Sequence, residues 1–191
     1  VPVELAEGEY SVEATVTDAA SNTATDANTG EIDTTAPAIS LDAQGTDNDT
    51  TPTLSGTTDA APGSSVTLTV TDSAGNVQTL TTTVQADGTF SVDVPDELAE
   101  GEYSVEATVT DAAGNTATDA NTGEIDTTAP VLTLTNPGDT NDTTPTLTGT
   151  GEVGATVTLT ITDANGSTQT VTTTVDGSGY FSVDVPTDLA E

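Results

Sequence analysis

Apolar and polar residues alternate along most of this chain. In the run Glu102-Tyr103-Ser104-Val105-Glu106-Ala107-Thr108-Val109 every second residue is apolar, and successive side chains of an extended strand point to opposite faces. The same period runs through 65–71, where Val66, Leu68 and Val70 alternate with Thr67 and Thr69. The pattern predicts seven strands within one stretch: 38–42, 52–57, 65–71, 77–84, 89–94, 102–110 and 115–125. Gly, Pro, Asp and Asn bound them, as turn chemistry requires. Phe90, Val92 and Val94 are expected to face inward from the fifth strand, and Tyr103, Val105, Ala107 and Val109 from the sixth. Tyr103 opens that sixth strand, the place of a tyrosine corner. No segment shows an apolar period of about 3.6 residues, so helix is not expected.

The pattern is also copied. Residues 1–37 match 94–130 at 35 of 37 positions, differing only at Val3/Asp96 and Ser21/Gly114. Beyond them the match is looser, with a two-residue gap near Ala61-Pro62, until Phe90-Ser91-Val92-Asp93 meets Phe181-Ser182-Val183-Asp184. A period of about 93 residues is a whole domain, not a solenoid turn. The fold class expected is all-β: tandem immunoglobulin-like β-sandwich domains of seven antiparallel strands. Residues 34–126 are expected to form a complete repeat, 1–33 the last two strands of one before it, and 127–191 the first five strands of the next.

Neither terminal piece can cover both faces of its sheets by itself. The chain therefore reads as an excerpt of a longer tandem array, or as a unit whose ends complete each other between molecules in a head-to-tail homopolymer. The repeats meet at Glu31-Ile32-Asp33-Thr34-Thr35-Ala36-Pro37, which returns as Glu124-Ile125-Asp126-Thr127-Thr128-Ala129-Pro130. Two β-branched threonines and a proline make this a semi-rigid joint.

Composition sharpens the picture through its zeros. Lys, Arg, His, Cys, Met and Trp are absent, against 32 Asp and Glu, for a formal charge of −32. No side-chain ion pair can form, and such a surface repels itself. High salt relieves this, with a Debye length of roughly 3 Å at about 1 M, and so do bound cations. Nucleic acid and anionic membranes are excluded as electrostatic partners, because both need a basic face. No apolar run approaches about 18 residues, so no membrane-inserting segment is expected. No secretory leader opens the chain, in keeping with an internal slice of something longer. Without cysteine there is no disulfide framework. The expected setting is extracellular, at a bacterial or archaeal surface in salty surroundings. High charge with few aromatics is also a signature of disorder, but 46 threonines and clean alternation argue for folded β structure. An enzyme is not expected, since His, Lys and Cys are missing as bases or nucleophiles. The acids lie on turns without an aromatic platform for sugar.

Sandwich topology sorts the acidic loops to two poles. One gathers Asp47, Asp49, Asp72, Asp96, Glu97 and Glu100, with Glu124 and Asp126 of the joint. The other carries Asp59, Asp87 and Asp111 in the complete copy, and Glu152 and Asp176 in the next. Stacked repeats then bring two acidic poles together, which calcium turns into a clamp, because it takes roughly 6–8 oxygen ligands in irregular geometry. The candidate ligands are Asp33, Asp126, Asp111, Asp47, Asp49, Glu124 and Asp142, with Asn48, Asn115 and Asn141 beside them. Magnesium fits less well, and zinc lacks its His and Cys ligands. Asp93, Glu102, Glu106 and Asp119, outward within strands, are expected to serve solubility and edge protection. Asn165-Gly166 reads as a hairpin turn, and Gly114 is expected at positive φ.

Four motifs carry a family likeness: Asp-Thr-Thr-Ala-Pro at the joint, Thr-Pro-Thr-Leu-Ser-Gly-Thr at 51–57, Asp-Gly-Thr-Phe-Ser-Val at 87–92, and Thr-Asp-Ala-Ala-Gly-Asn at 110–115. In this order they resemble the bacterial Ig-like repeats of giant surface adhesins, including RTX-type biofilm and ice-binding adhesins. The resemblance implies an extender: tandem domains forming a stalk, stiffened by calcium at their junctions, whose partners are the neighbouring repeats of the same chain. Matched by motif, it implies Asp126 and Asp33 of the joint, and Asp111 and Asp18 of the Asp-Ala-Ala loop, as calcium ligands.

Overall fold

A computed structural model describes residues 4–190. It divides into two compact units, Val1–Thr127 and Thr128–Glu191. The first begins with a hairpin, β1 (Gly8–Thr17) and β2 (Thr23–Ile32), in continuous antiparallel register from Gly8 opposite Ile32 to Thr17 opposite Thr23.

A two-sheet sandwich follows. One sheet joins β3 (Ile39–Leu41), β5 (Thr53–Thr58) and β8 (Thr89–Asp93) in that order. The other runs β4 (Thr46–Asp47), β10 (Thr116–Ile125), β9 (Gly101–Thr110), β6 (Ser65–Thr71) and β7 (Val77–Thr83). All seven expected strands are present within a residue or so of their expected ends. The structure adds an eighth, β4, inside the loop expected to link the first two strands. It pairs parallel to the end of β10, Glu124 opposite Thr46 and Ile125 opposite Asp47. The chain thus crosses from one sheet to the other between Leu41 and Thr46, and the second sheet is not wholly antiparallel.

The alternation read from the sequence decides what the two sheets enclose. Val66, Leu68, Val70, Val105, Ala107, Val109 and Ile125 of one sheet meet Leu41, Leu54 and Phe90 of the other in a single buried cluster. Fully burying a Val, Leu or Phe side chain stabilises a fold by roughly 1.5–3 kcal/mol, so this cluster is the main opponent of the −32 charge.

Its aromatic members share one arrangement. Phe90 pairs across the ladder with Gly56, and Tyr103 with Gly123. A Cβ on Gly123 would lie 2.6 Å from the Tyr103 ring, and one on Gly56 2.5 Å from the Phe90 ring. Each ring lies across the backbone of its glycine neighbour, so these glycines are spaces for rings, not turn residues. The Tyr103 hydroxyl donates to Gln44 Oε1 at 3.4 Å. Its partner is therefore a side chain, whereas a tyrosine corner uses backbone.

The second unit holds β11 (Thr133–Leu134), β12 (Thr146–Thr150) and β15 (Tyr180–Asp184) in one sheet, and β13 (Thr156–Thr162) with β14 (Thr168–Thr174) in the other. Phe181 sits opposite Gly149 just as Phe90 sits opposite Gly56. Its core is smaller: Leu147, Val157, Leu159, Val175, Phe181 and Val185. Among the described residues no helix occurs.

Candidate functional site

The acidic side chains divide by what they hold. One set closes hairpin turns of the form Asp-x-x-x-Asn. Asp111 Oδ1 accepts from the backbone N–H of Ala113, Gly114 and Asn115, and Oδ2 from Asn115 Nδ2 at 2.9 Å. Asp18 does the same with Ala20 and Asn22. So does Asp72 with Ala74 and Asn76. In all three the Asn side-chain donor is the leading reason that the carboxyl lies below its usual range, since hydrogen bonds to the charged form favour it. The fourth residue of the turn takes positive φ: 97° at Gly114, 83° at Gly75, and 71° even for Ser21. The Asn165-Gly166 turn closes likewise, with Gly166 at φ 80° and Asp163 Oδ1 accepting from Asn165 and Ser167.

Asp72 goes further than Asp18 and Asp111. It is only 5% exposed, and its Oδ2 also accepts from Ala99 N–H at 3.2 Å. Neutral donors alone thus satisfy a buried carboxylate that has no cation to pair with. It fastens the β6–β7 turn to the segment leading into β9.

A second set grips the joint at residues 33–38. Glu7 accepts from the hydroxyls of Thr34 at 2.9 Å and Thr35 at 2.5 Å. Asp33 Oδ1 accepts from Thr35 N–H, and the Asp33 carbonyl accepts from Asn115 Nδ2 at 3.1 Å. Ala38 N–H donates to Asp59 Oδ1 at 2.7 Å, and the Ala38 carbonyl accepts from Thr58 Oγ1. At the far end of the repeat Glu100 accepts from Thr127 Oγ1 at 2.7 Å, as Glu7 does from Thr34. These hydrogen bonds make a latch around the joint.

Of the expected calcium ligands, the structure brings Asp33 and Asp111 together around one open cavity of about 350 Å³ and adds Asp59 to them. At the opposite pole Asp126 N–H donates to the Asp47 carbonyl at 2.8 Å, and Glu124 lies beside Asp47 through the β4–β10 ladder, accepting from Thr46 Oγ1. Asp49 and Asp142 are turned into local turns, each accepting from the N–H and hydroxyl of the threonine two residues on. Asp18 is engaged in its own hairpin turn.

The donor chemistry suits calcium, being all oxygen and uncompensated by any basic side chain. Even so, among the described residues no three acidic side chains converge closely enough to hold an ion as they stand. Asp119, expected to be a solubility charge, instead accepts from Leu41 N–H at 2.8 Å across the two sheets. Period two places Asp119 in step with Ala117, Gly123 and Ile125 on the core-facing side of β10, a signal that the expectation of an outward charge overlooked.

Two family models match the chain, one of the bacterial Ig-like domain over residues 40–127 and one of the bacterial Ig-like domain (group 3) over residues 87–187. Comparison with curated proteins found no match. Among solved structures, the chain is similar to a tetra-tandem repeat in the extending region of a large adhesion protein, with 37% identity over 97% of this chain and 50% of that one, and a TM-score of 0.48. It is similar at 31% identity to a Ca²⁺-stabilised adhesin that helps an Antarctic bacterium reach out and bind ice, over 93% of this chain and 48% of that one, with a TM-score of 0.43. A third likeness, at 28% identity, is to a 1.5-MDa bacterial ice-binding adhesin studied for host cell surface retention, over 94% of this chain and 64% of that one, with a TM-score of 0.44. The chain spans about half the length of the first two and under two thirds of the third.

Proposed function

We propose that this chain, which belongs to the bacterial Ig-like domain family, is an extender segment in the stalk of a large extracellular bacterial adhesin. It holds a distal ligand-binding region away from the cell surface. In this reading 34–126 is one complete repeat, 1–33 and 127–191 belong to its neighbours, and the segment's partners are those neighbouring repeats. No chemistry on substrates is assigned to it.

The observation that carries the reading is the latch at 33–38. A joint recurring after 93 residues is tied to the repeat before it by Glu7 and to the repeat after it by Asn115 and Asp59. A spacer needs such a fastening, because a stalk transmits position only if its domain junctions resist bending.

Calcium is the second part of the proposal. Asp33, Asp59 and Asp111 would hold it at the near pole of the complete repeat. Asp47, Glu124 and Asp126 are the corresponding donors at its far pole. Bound there, the ion supplies the positive charge that the chain lacks and draws the joint against the domain.

The test is a thermal melt and small-angle scattering, each with calcium and with chelator at constant ionic strength. We expect a higher midpoint and a narrower distribution of end-to-end lengths with calcium, both reduced by Asp59→Asn. Identical melts and profiles in both conditions would remove the clamp. A broad length distribution in both would remove the extender reading.

A further inference from the structure

The two sheets of the complete repeat end in four edge strands, β3 and β8 on one and β4 and β7 on the other. An edge presents unpaired backbone N–H and C=O groups, and folded proteins blunt it with short strands, charge, proline or a covering segment. Three of the four are blunted. β4 is two residues long and ends in Asp47. β3 has three residues, and its Leu41 N–H is taken by Asp119. β8 ends in Asp93, and its Ser91 carbonyl accepts from Thr82 Oγ1 at 2.8 Å.

β7 is the exception, and it belongs wholly to the complete repeat. Its seven residues, Val77-Gln78-Thr79-Leu80-Thr81-Thr82-Thr83, carry no charge and no proline, in a chain of formal charge −32. The register against β6 shows which backbone groups are spare. Beyond one end of the ladder Val84 N–H donates to the Ser64 carbonyl, and beyond the other Asp72 N–H donates to the Asn76 carbonyl. Bonded and non-bonded pairs alternate along an antiparallel ladder. Gln78, Leu80 and Thr82 therefore bond to β6, while Val77, Thr79 and Thr81 turn their N–H and C=O groups outward. The second unit repeats the device. β14 is also uncharged, and the bond from Val175 N–H to the Ala155 carbonyl sets the same alternation, with Thr170 and Thr172 turned outward.

We infer that β7 binds β7 of a second copy of this chain, edge to edge and antiparallel, about a two-fold axis at Thr79. Thr79 then lies opposite its own copy and Val77 opposite Thr81, each pair exchanging two backbone hydrogen bonds. Charge selects this occupant. Two copies that each carry −32 repel over most of their surfaces, and a long uncharged edge is where they can approach. Asp96, whose backbone is held by Gln78 at the start of the strand, still opposes the contact, so screening by salt favours it. One strand pairing is small and weak. It multiplies in a tandem chain, because each repeat supplies the edge once. The pairing itself does not depend on the extender role. Its consequence in a stalk, joining one adhesin to another that runs the opposite way, does rest on that reading.

Sedimentation and amide hydrogen exchange of the chain in about 1 M salt, followed together against concentration, test it. The mass should rise above that of a monomer, and exchange at Thr79, Thr81, Thr170 and Thr172, fast in dilute solution, should slow in step. Aspartate at these four exposed positions (Thr79→Asp, Thr81→Asp, Thr170→Asp and Thr172→Asp together) sets like charges opposite each other. It should weaken association by about tenfold or more and leave the melting of the complete repeat in dilute solution nearly unchanged. A chain that stays monomeric up to about 1 mM would overturn the inference. So would oligomers that form with unchanged exchange at Thr79 and Thr81, or that survive the four aspartates, since the contact would then lie on another surface. Protection brought by an added uncharged strand peptide, and not by concentration, would give the edge to a foreign strand and overturn the self-pairing.

Discussion

The hairpins 8–32 and 101–125 are nearly one sequence in two settings. Both pair in the same register, from glycine opposite isoleucine to threonine opposite threonine, and both close on an Asp-Asn turn. They differ in what lies over the apolar face. Leu98, just before the second hairpin, is 4% exposed, while its twin Leu5 is 64% exposed. Ile125 is fully buried, and Ile32 only partly. Local sequence therefore makes the hairpin, and neighbours make the core. A strand's burial pattern states what a face is fit for, and a second sheet has to be supplied before that fitness stabilises anything.

The sharpest way to break this comparison is one substitution placed in both copies. Val105→Asp buries an unpaired charge among Val66, Leu68 and Val70, and should cost more than about 4 kcal/mol, enough to unfold the repeat. Val12→Asp should change the stability of the same repeat by no more than about 0.5 kcal/mol. Denaturant unfolding measures both, and equal losses would mean that β1–β2 is packed as β9–β10 is.

The ring-over-glycine pairs give a smaller contrast. Gly123→Ala would press a methyl group into Tyr103, which is 3% exposed and enclosed, and into Gln44. Overpacking of this kind costs about 1–3 kcal/mol. Gly30→Ala meets Tyr10 at the same 2.6 Å, but that ring is only half-buried and can swing out, so a clearly smaller loss is expected by the same unfolding measurement.

Acid separates the two hairpins more finely. Asp18, Asp72 and Asp111 all have carboxyls held below their usual range, chiefly by the Asn donor of their own turn. Because the folded value is depressed, the stabilisation is fully present above the unfolded value of about 3.9. It is lost as pH falls through the lower folded value. Asp72→Asn and Asp111→Asn should lower the melting temperature at neutral pH and flatten the acid limb of the stability profile. Asp18→Asn should leave the acid limb of the complete repeat as it was. The effect should be largest at Asp72, which alone also holds Ala99.

The smallest expected effect concerns the latch. Glu7→Ala removes the acceptor for Thr34 and Thr35 and should speed amide hydrogen exchange at 33–36, with little change in the melt. Unchanged exchange would mean that Asn115 and Asp59 suffice to fix the joint.

Much of this was legible beforehand. Period two placed the strands, the repeat placed the joint, and Asn165-Gly166 and Gly114 marked two of the turns. β4 was not legible, because two residues of Thr-Asp between Gly45 and Asn48 carry no periodicity, and only the nearby end of β10 makes them a strand. Asp72 was counted with the polar acids, since a sequence shows a carboxylate but not that Ala99 will approach it. Of the candidate calcium ligands, Asp33 and Asp111 do share a cavity, while Asp49 and Asp142 turn inward to their own threonines. Loop topology assigns a residue to a pole, and the direction of its side chain is set afterwards by the nearest donor.

The sequence by itself determined the strands, their faces, the hairpin registers, the turn chemistry and the repeat, because each depends on residues within a few positions of one another. It also determined that no ion pair would help, since there is no cation to make one. Only the tertiary structure decided which copy of a nearly identical hairpin is buried, which glycines lie beneath rings, and which acids grip a joint. Those outcomes depend on what a distant segment brings to within about 3 Å, the range over which a hydrogen bond acts, and no local pattern records that.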